Sequence, residues 1–436
     1  MVEKITPSAH RLLQAAAQSD KDHYNMLDET EQLRARRCLM SKGAADAVGS
    51  ICLGDSMMIL IATGLGFPSA CVSAIGSLNF FSYLILPLGF VIAGRMGICR
   101  GIWTEQRGIM LSGLAIAAAA FFPGQARLLF PLALVGCYAC RSCAASMVFS
   151  IQKNIAPGLH LPVLMSKLAV INSSVGLLTA LAMAWVLSIS QGMNALGAAA
   201  VAGALFYGMA GYCMSRSPED PQLRENARRP IMPSVHDALA SRVMRLQLLA
   251  GCALNLPIAM LLPVNILIAK HGYGMTNTQI LLLTMTQSLS AIACSALFRY
   301  LSPRFGPRRV MIGAFPIIVI LCLYWLLLPA AAPFWLLLPP FAIAGGMNIF
   351  FSTSLGNYFV MTIPAHMQVG GTFLVFVITG GLVGVAGVLL NPALLRLAAD
   401  FAGGSLAAYK LYFALCIILF LPGLHTVITL PPEREV

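Results

Sequence analysis

A chain of 436 residues that is 58% hydrophobic and only 10% charged is not an ordinary water-soluble protein, because soluble domains run near a quarter charged. Its formal net charge of +12 would suit a nucleic-acid binder, but the basic residues cluster in short segments between long apolar blocks. With a mean hydropathy of +0.81 and apolar blocks recurring along nearly the whole chain, the composition is that of a polytopic membrane protein.

The first forty residues are polar and hold no apolar core of a signal peptide. Asp28 followed by Glu31 suggests a capping box that opens a short basic helix lying along the inner membrane surface. Six apolar spans are then expected at 44–66, 71–94, 108–122, 128–151, 164–188 and 193–214, the third being short. A polar stretch at 216–245 follows, with Pro218, Pro221, Pro230 and Pro233, and Ser234 with Asp237 marks a further short helix. Six more spans are expected at 246–268, 276–298, 310–328, 334–358, 369–390 and 411–428. The fold class is therefore all-α and membrane-embedded, with about twelve helices. The domain boundaries are a tail at 1–43, a six-helix bundle at 44–215, a linker at 216–245, a second bundle at 246–430 and a tail at 431–436.

If the N-terminus is cytoplasmic, 23 of the 28 Lys and Arg fall on the inner side. Only Arg127, Lys270, Arg396 and Lys410 fall outside, and Arg141 lies within a span. This asymmetry places both termini in the cytoplasm of a cell with the chain in its cytoplasmic membrane. The twelve Cys sit mostly within spans, which argues against a disulfide framework. Cys137, Cys140 and Cys143 lack a fourth ligand and read as small hydrophobes rather than a metal site. No cofactor is implied.

An internal repeat supports two halves. Arg95, Gly97 and Arg100 follow the second span, and Arg304, Gly306 and Arg309 follow the eighth. The pattern Arg-x-Gly-x-x-Arg recurs 209 residues later, each time in a tight inner loop where Gly permits a sharp turn. Together with six plus six spans and a long central loop, this resembles the Major Facilitator Superfamily, whose signature in that loop is Gly-x-x-x-Asp-Arg-x-Gly-Arg-Arg. The resemblance implies two bundles around a central cavity, with the paired turns as gating loops. Gly94 and Pro303 stand where that signature has Asp, which in the family helps latch the inner gate.

Ionisable groups deep in a membrane cost roughly 2.5–3.5 kcal/mol each and call for a reason. Two sit near mid-span, Asp55 in the first helix and Arg141 in the fourth, both of which line the cavity in the resembled family. Asp55 is expected to bind a proton or a cationic group, and Arg141 to compete for it or hold an anionic group; a static Asp55–Arg141 pair that fixes packing is the other reading. Arg141 also begins a run loosely similar to an antiporter motif, with Ala144 and Ala145 replacing its Gln-Gly. Asn79, Asn172, Asn265, Gln287 and Asn348 are polar mid-span positions that could face the same cavity or bond helix to helix. The seventh span carries Asn255, Pro257, Pro263 and Asn265 and is expected to kink, while Gly380, Gly381, Gly384 and Gly387 in the eleventh permit close helix approach.

The function expected is secondary active transport of a small solute by alternating access, by a monomer in the lipid bilayer, with proton coupling and uniport both open. A phosphate-binding Gly-rich loop is absent, so direct nucleotide drive is not indicated, and nucleic acid is not a partner. An enzyme is disfavoured because no second mid-span Asp, His-Glu-x-x-His or Gly-x-Ser-x-Gly occurs. The alternative is a non-transporting membrane sensor or scaffold with a transporter-like fold.

Overall fold

A computed structural model describes residues 27–155, 160–190, 192–219, 224, 232–363 and 368–432. Eleven of its helices are long and apolar enough to cross a membrane. Helix Ile98–Phe121 is the twelfth: its 24 residues reach about 36 Å, but Glu105, Gln106 and Arg107 in its early turns lower its hydropathy. Twelve successive crossings bring the chain's described ends and the linker to one face, called here the near face. The outward surfaces carry large exposed apolar side chains, with Leu128 73% exposed, Leu327 81% and Phe401 77%, which is the surface of a multi-pass membrane protein.

The first span begins earlier than the apolar run suggests. One continuous helix covers Glu29–Cys52, so the basic segment is an extension of the span rather than a separate surface helix. Glu31 does reach back to the Asp28 N–H, at 3.3 Å. Hydropathy misses this extension because packing against the fifth and sixth spans, not apolarity, holds it. The helix then breaks at Leu53–Gly54 and restarts as Asp55–Gly64. Gly54 is extended (φ −78°, ψ 172°), and a Cβ there would stand 2.2 Å from the Ser50 carbonyl oxygen, so only Gly fits the break.

The second span is also segmented: Ser69–Ser73, Ile75–Phe81, a 3₁₀ turn Ser82–Ile85, then Leu86–Met96. The fourth, fifth and sixth spans are single helices, Ala126–Ile155, His160–Ile189 and Met193–Ser215. In the linker, helix Met232–Ala240 forms where Ser234 and Asp237 suggested one, and Ser234 Oγ accepts from the Gly370 N–H at 3.1 Å. The seventh span runs unbroken through Pro257 and Pro263 from Arg242 to Leu267 and ends in a π-helical turn, Ile268–Gly272. The eighth, Asn277–Phe305, opens on a complete capping box between Thr276 and Gln279. The eleventh combines Gln368–Leu374, a π segment Val375–Gly380 and Gly381–Phe401.

The two halves meet chiefly through the second and eleventh spans and through the fifth and eighth. The first of these contacts is a close antiparallel seam. Asn391 Nδ2 donates to the Ser73 carbonyl at 3.1 Å, and a Cβ on Gly387 would fall 2.3 Å from Ser77 Oγ. A Cβ on Gly384 would fall 2.1 Å from the Phe81 nitrogen. Ser77 Oγ also donates to the Ala259 carbonyl of the seventh span at 3.3 Å, and Pro263 abuts Gly76. These contacts lie from mid-depth to the far face; Tyr83–Phe376 and Phe90–Phe373 ring contacts continue the seam toward the near face.

Candidate functional site

The break in the first span places Asp55 at the first position of a half-helix inside the bundle. Its unpaired first-turn N–H groups carry the positive end of the helix dipole. Tyr138 of the fourth span, 1% exposed, donates its hydroxyl to Asp55 Oδ1 at 2.8 Å. Arg141 lies one turn along from Tyr138, with its guanidinium carbon 5.7 Å from the Tyr138 ring centroid. No ion pair joins Asp55 to Arg141: the tyrosine stands as the carboxylate's partner, and among the described residues Arg141 Nη1 is buried without an acceptor.

A cavity of about 320 Å³ opens on the near-face side of this constellation. Arg141 lines it with Lys42, Asp46 and Ser50 of the first span, Gln106 of the third, Asn172 of the fifth and Tyr207 of the sixth. Lys42, 6% exposed, pairs with Asp46 one helical turn away, and Gln106 Nε2 donates to the other Asp46 oxygen at 3.2 Å. Lys42, Ser50, Tyr138, Gln106 and Tyr207 are not among the site residues the sequence singles out. Lys42 falls within the tail expected at 1–43, although its i, i+4 spacing to Asp46 is a legible signal once the helix extends. Tyr138, three residues before Arg141, shares its helix face and could have been found the same way. Gln106 and Tyr207 carry no signal in a single sequence.

The remaining polar positions separate. Asn172 is exposed and lines the cavity. Asn265 is 1% exposed in the core of the second half, where its Oδ1 accepts from Trp325 Nε1 at 2.9 Å. Asn79, Gln287 and Asn348 are half-buried mid-span and do not line the cavity around Arg141. The Gln287 carbonyl abuts Gly345 of the tenth span, where a Cβ would stand only 2.0 Å away.

At the near face, Gly97 and Gly306 both adopt left-handed backbone, φ 89° and 79°, and each directly precedes a helix. Arg95 and Arg100 are exposed, as are Arg304 and Arg309. The carboxylate of Glu219, from the linker, accepts from the N–H groups of Ile98, at 2.5 Å, and Cys99, at 3.1 Å, capping the third span. Arg224 donates to the Arg95 carbonyl in the same turn, and in the second half Arg308 Nη2 donates to the Ile428 carbonyl at 2.7 Å.

No protein-family model matches the chain, and no curated protein matches it by sequence. Solved structures do. A mutant form of the nucleoside transporter NupG superposes with a TM-score of 0.70 at 13% identity, over 90% of this chain and 99% of that one. The Major Facilitator Superfamily transporter FucP, in the outward conformation, gives 0.60 at 15% identity, over 91% of this chain and 99% of that one. A peptide transporter of the POT family gives 0.65 at 13%, over 92% and 97%. The chain has the Major Facilitator Superfamily fold. The cavity's lining residues come from the first, third, fourth, fifth and sixth spans, and the Glu219 carboxylate caps the turn in which Gly94 stands where the resembled signature has Asp.

Proposed function

We propose that this protein is a secondary transporter that moves a small solute by alternating access, with Asp55 carrying a coupled proton. The observation that supports it is the asymmetry of the two faces. Hydrogen-bonded and backbone-tight cross-half contacts run from mid-depth outward and give way to ring contacts toward the near face, where a cavity lined by ionisable and polar side chains lies beside a broken helix. Discontinuous helices with exposed half-helix termini at mid-membrane are a transporter's means of binding solutes and ions. With the basic near-face loops on the cytoplasmic side, the cavity faces inward. Asp55, held by one hydroxyl at the head of a half-helix, is the group whose protonation would change that local balance.

The fold-level likeness to nucleoside, fucose and peptide transporters supports transport and leaves the cargo open. The test is flux in liposomes carrying the purified protein, under an imposed pH gradient and a solute panel. Solute accumulation that collapses in Asp55→Asn, while counterflow exchange persists, supports the coupled carrier. Accumulation unchanged by that variant removes the proton role, and absence of exchange for every solute class favours a sensor or scaffold.

A further inference from the structure

The charge balance of the near-face cavity is uneven. Of its three ionised side chains, Lys42 and Asp46 neutralise each other, and Gln106 takes up the second Asp46 oxygen. Arg141 is left over. Its Nη1 is sealed from solvent with no acceptor among the described residues, and the nearby carboxylate of Asp55 is engaged by Tyr138. A buried guanidinium N–H with no acceptor is costly, and a tyrosine ring at 5.7 Å returns only a small part of that cost. The wall around it is mixed. Asn172 and Tyr207 offer hydrogen-bonding groups, whereas Ala47, Ile109, Ala144 and Val148 are apolar.

We infer that Arg141 is the seat of an anionic cargo: the solute is a small organic monocarboxylate whose acid group takes the guanidinium and whose apolar body lies along Ile109, Ala144 and Val148. One guanidinium with an unfilled N–H matches one carboxylate. A phosphate dianion would want a second, and Lys42 is already spent on Asp46. The cavity, at about 320 Å³, lies at the small end of ligand pockets, which suits a compact acid rather than a peptide. This assignment rests on the transport reading only for the word cargo; the binding site stands on the geometry alone.

The test is thermal stabilisation of the detergent-purified full-length protein by lactate, benzoate, phenylacetate and indole-3-acetate, each compared with its uncharged amide at equal concentration and ionic strength. At least one acid is expected to raise the unfolding midpoint while its amide does not. In Arg141→Gln the same acid should bind about 10- to 150-fold more weakly, the range of a charge-assisted hydrogen bond. The proposal falls if no acid stabilises the protein, if amides match their acids, or if the shift survives in Arg141→Gln. The acid–amide comparison needs no variant, so it decides the matter even if Arg141→Gln does not fold. Liposome exchange then separates the two readings. A neutral solute carried independently of Arg141 keeps transport and removes the anion site, whereas an acid that binds through Arg141 without exchange keeps the site and removes transport.

Discussion

Replacing Gly384 with Ala tests whether the seam between the second and eleventh spans holds the conformation seen. A Cβ at that position would lie 2.1 Å from the Phe81 nitrogen, 2.3 Å from the Phe81 Cα and 2.7 Å from the Phe80 carbonyl carbon. All three are backbone atoms, so no side-chain rotation relieves the clash. The helices must part by more than about 1 Å to restore ordinary contact, and overpacking of this kind costs about 1–3 kcal/mol. The strain applies only where the seam is closed, so the ratio of inward-open to outward-open molecules should fall about 5- to 150-fold. Spin labels carried by non-natural side chains at Thr104 and Gly313, both exposed and 209 residues apart, would report that ratio as long and short distance populations without disturbing the twelve cysteines. A distance distribution that matches the parent protein, in Gly384→Ala that still folds, would refute the idea that this seam closes and opens during the cycle.

Three further outcomes follow from single contacts. Tyr138→Phe deprives Asp55 of its hydroxyl partner and should lower stability by about 1–3 kcal/mol, read by thermal unfolding in detergent. Glu219→Ala removes the acceptor for the Ile98 and Cys99 amides, and their hydrogen exchange should accelerate about 5- to 30-fold, the kinetic equivalent of losing a helix cap; exchange unchanged at both amides would show that the linker carboxylate does not hold the turn. Trp325→Phe strips Asn265 Oδ1 of its donor and should cost about 1–3 kcal/mol, whereas the double variant with Asn265→Leu should recover most of that loss in a thermal-shift cycle.

Much of the architecture was legible because lipid imposes it. Length and apolarity of successive blocks locate most spans, and the paired basic turns locate the two halves, since only Gly accepts φ near +80° with no strain. The third span is obscured by buried Glu105 and Gln106, and the first by a charged extension that packing satisfies. At the site, Asp55 and Arg141 stand out as costly charges, but their relation does not, because a tyrosine intervenes that looks like any other aromatic of an apolar helix. Asn265 illustrates the limit of counting polar residues: at a repeat position near that of Asp55, it serves the Trp325 indole inside the second bundle. Glu219 lies outside every span, and nothing in a linear reading ties it to Ile98, 121 residues away.

The four left-handed glycines bracket corresponding spans: Gly66 and Gly97 flank the second, Gly274 and Gly306 the eighth. The second span is one residue shorter between its pair, yet it contains the 3₁₀ turn Ser82–Ile85, whereas Asn277–Phe305 is α-helical throughout. Four residues at about 2.0 Å rise instead of 1.5 Å recover about 2 Å, and their tighter winding adds about 80° of rotation. A missing α-helical residue is worth about 1.5 Å and 100°. Overwinding a single turn thus absorbs a deletion, so that a shorter helix still delivers its following loop at the same depth and in nearly the same orientation as its longer counterpart.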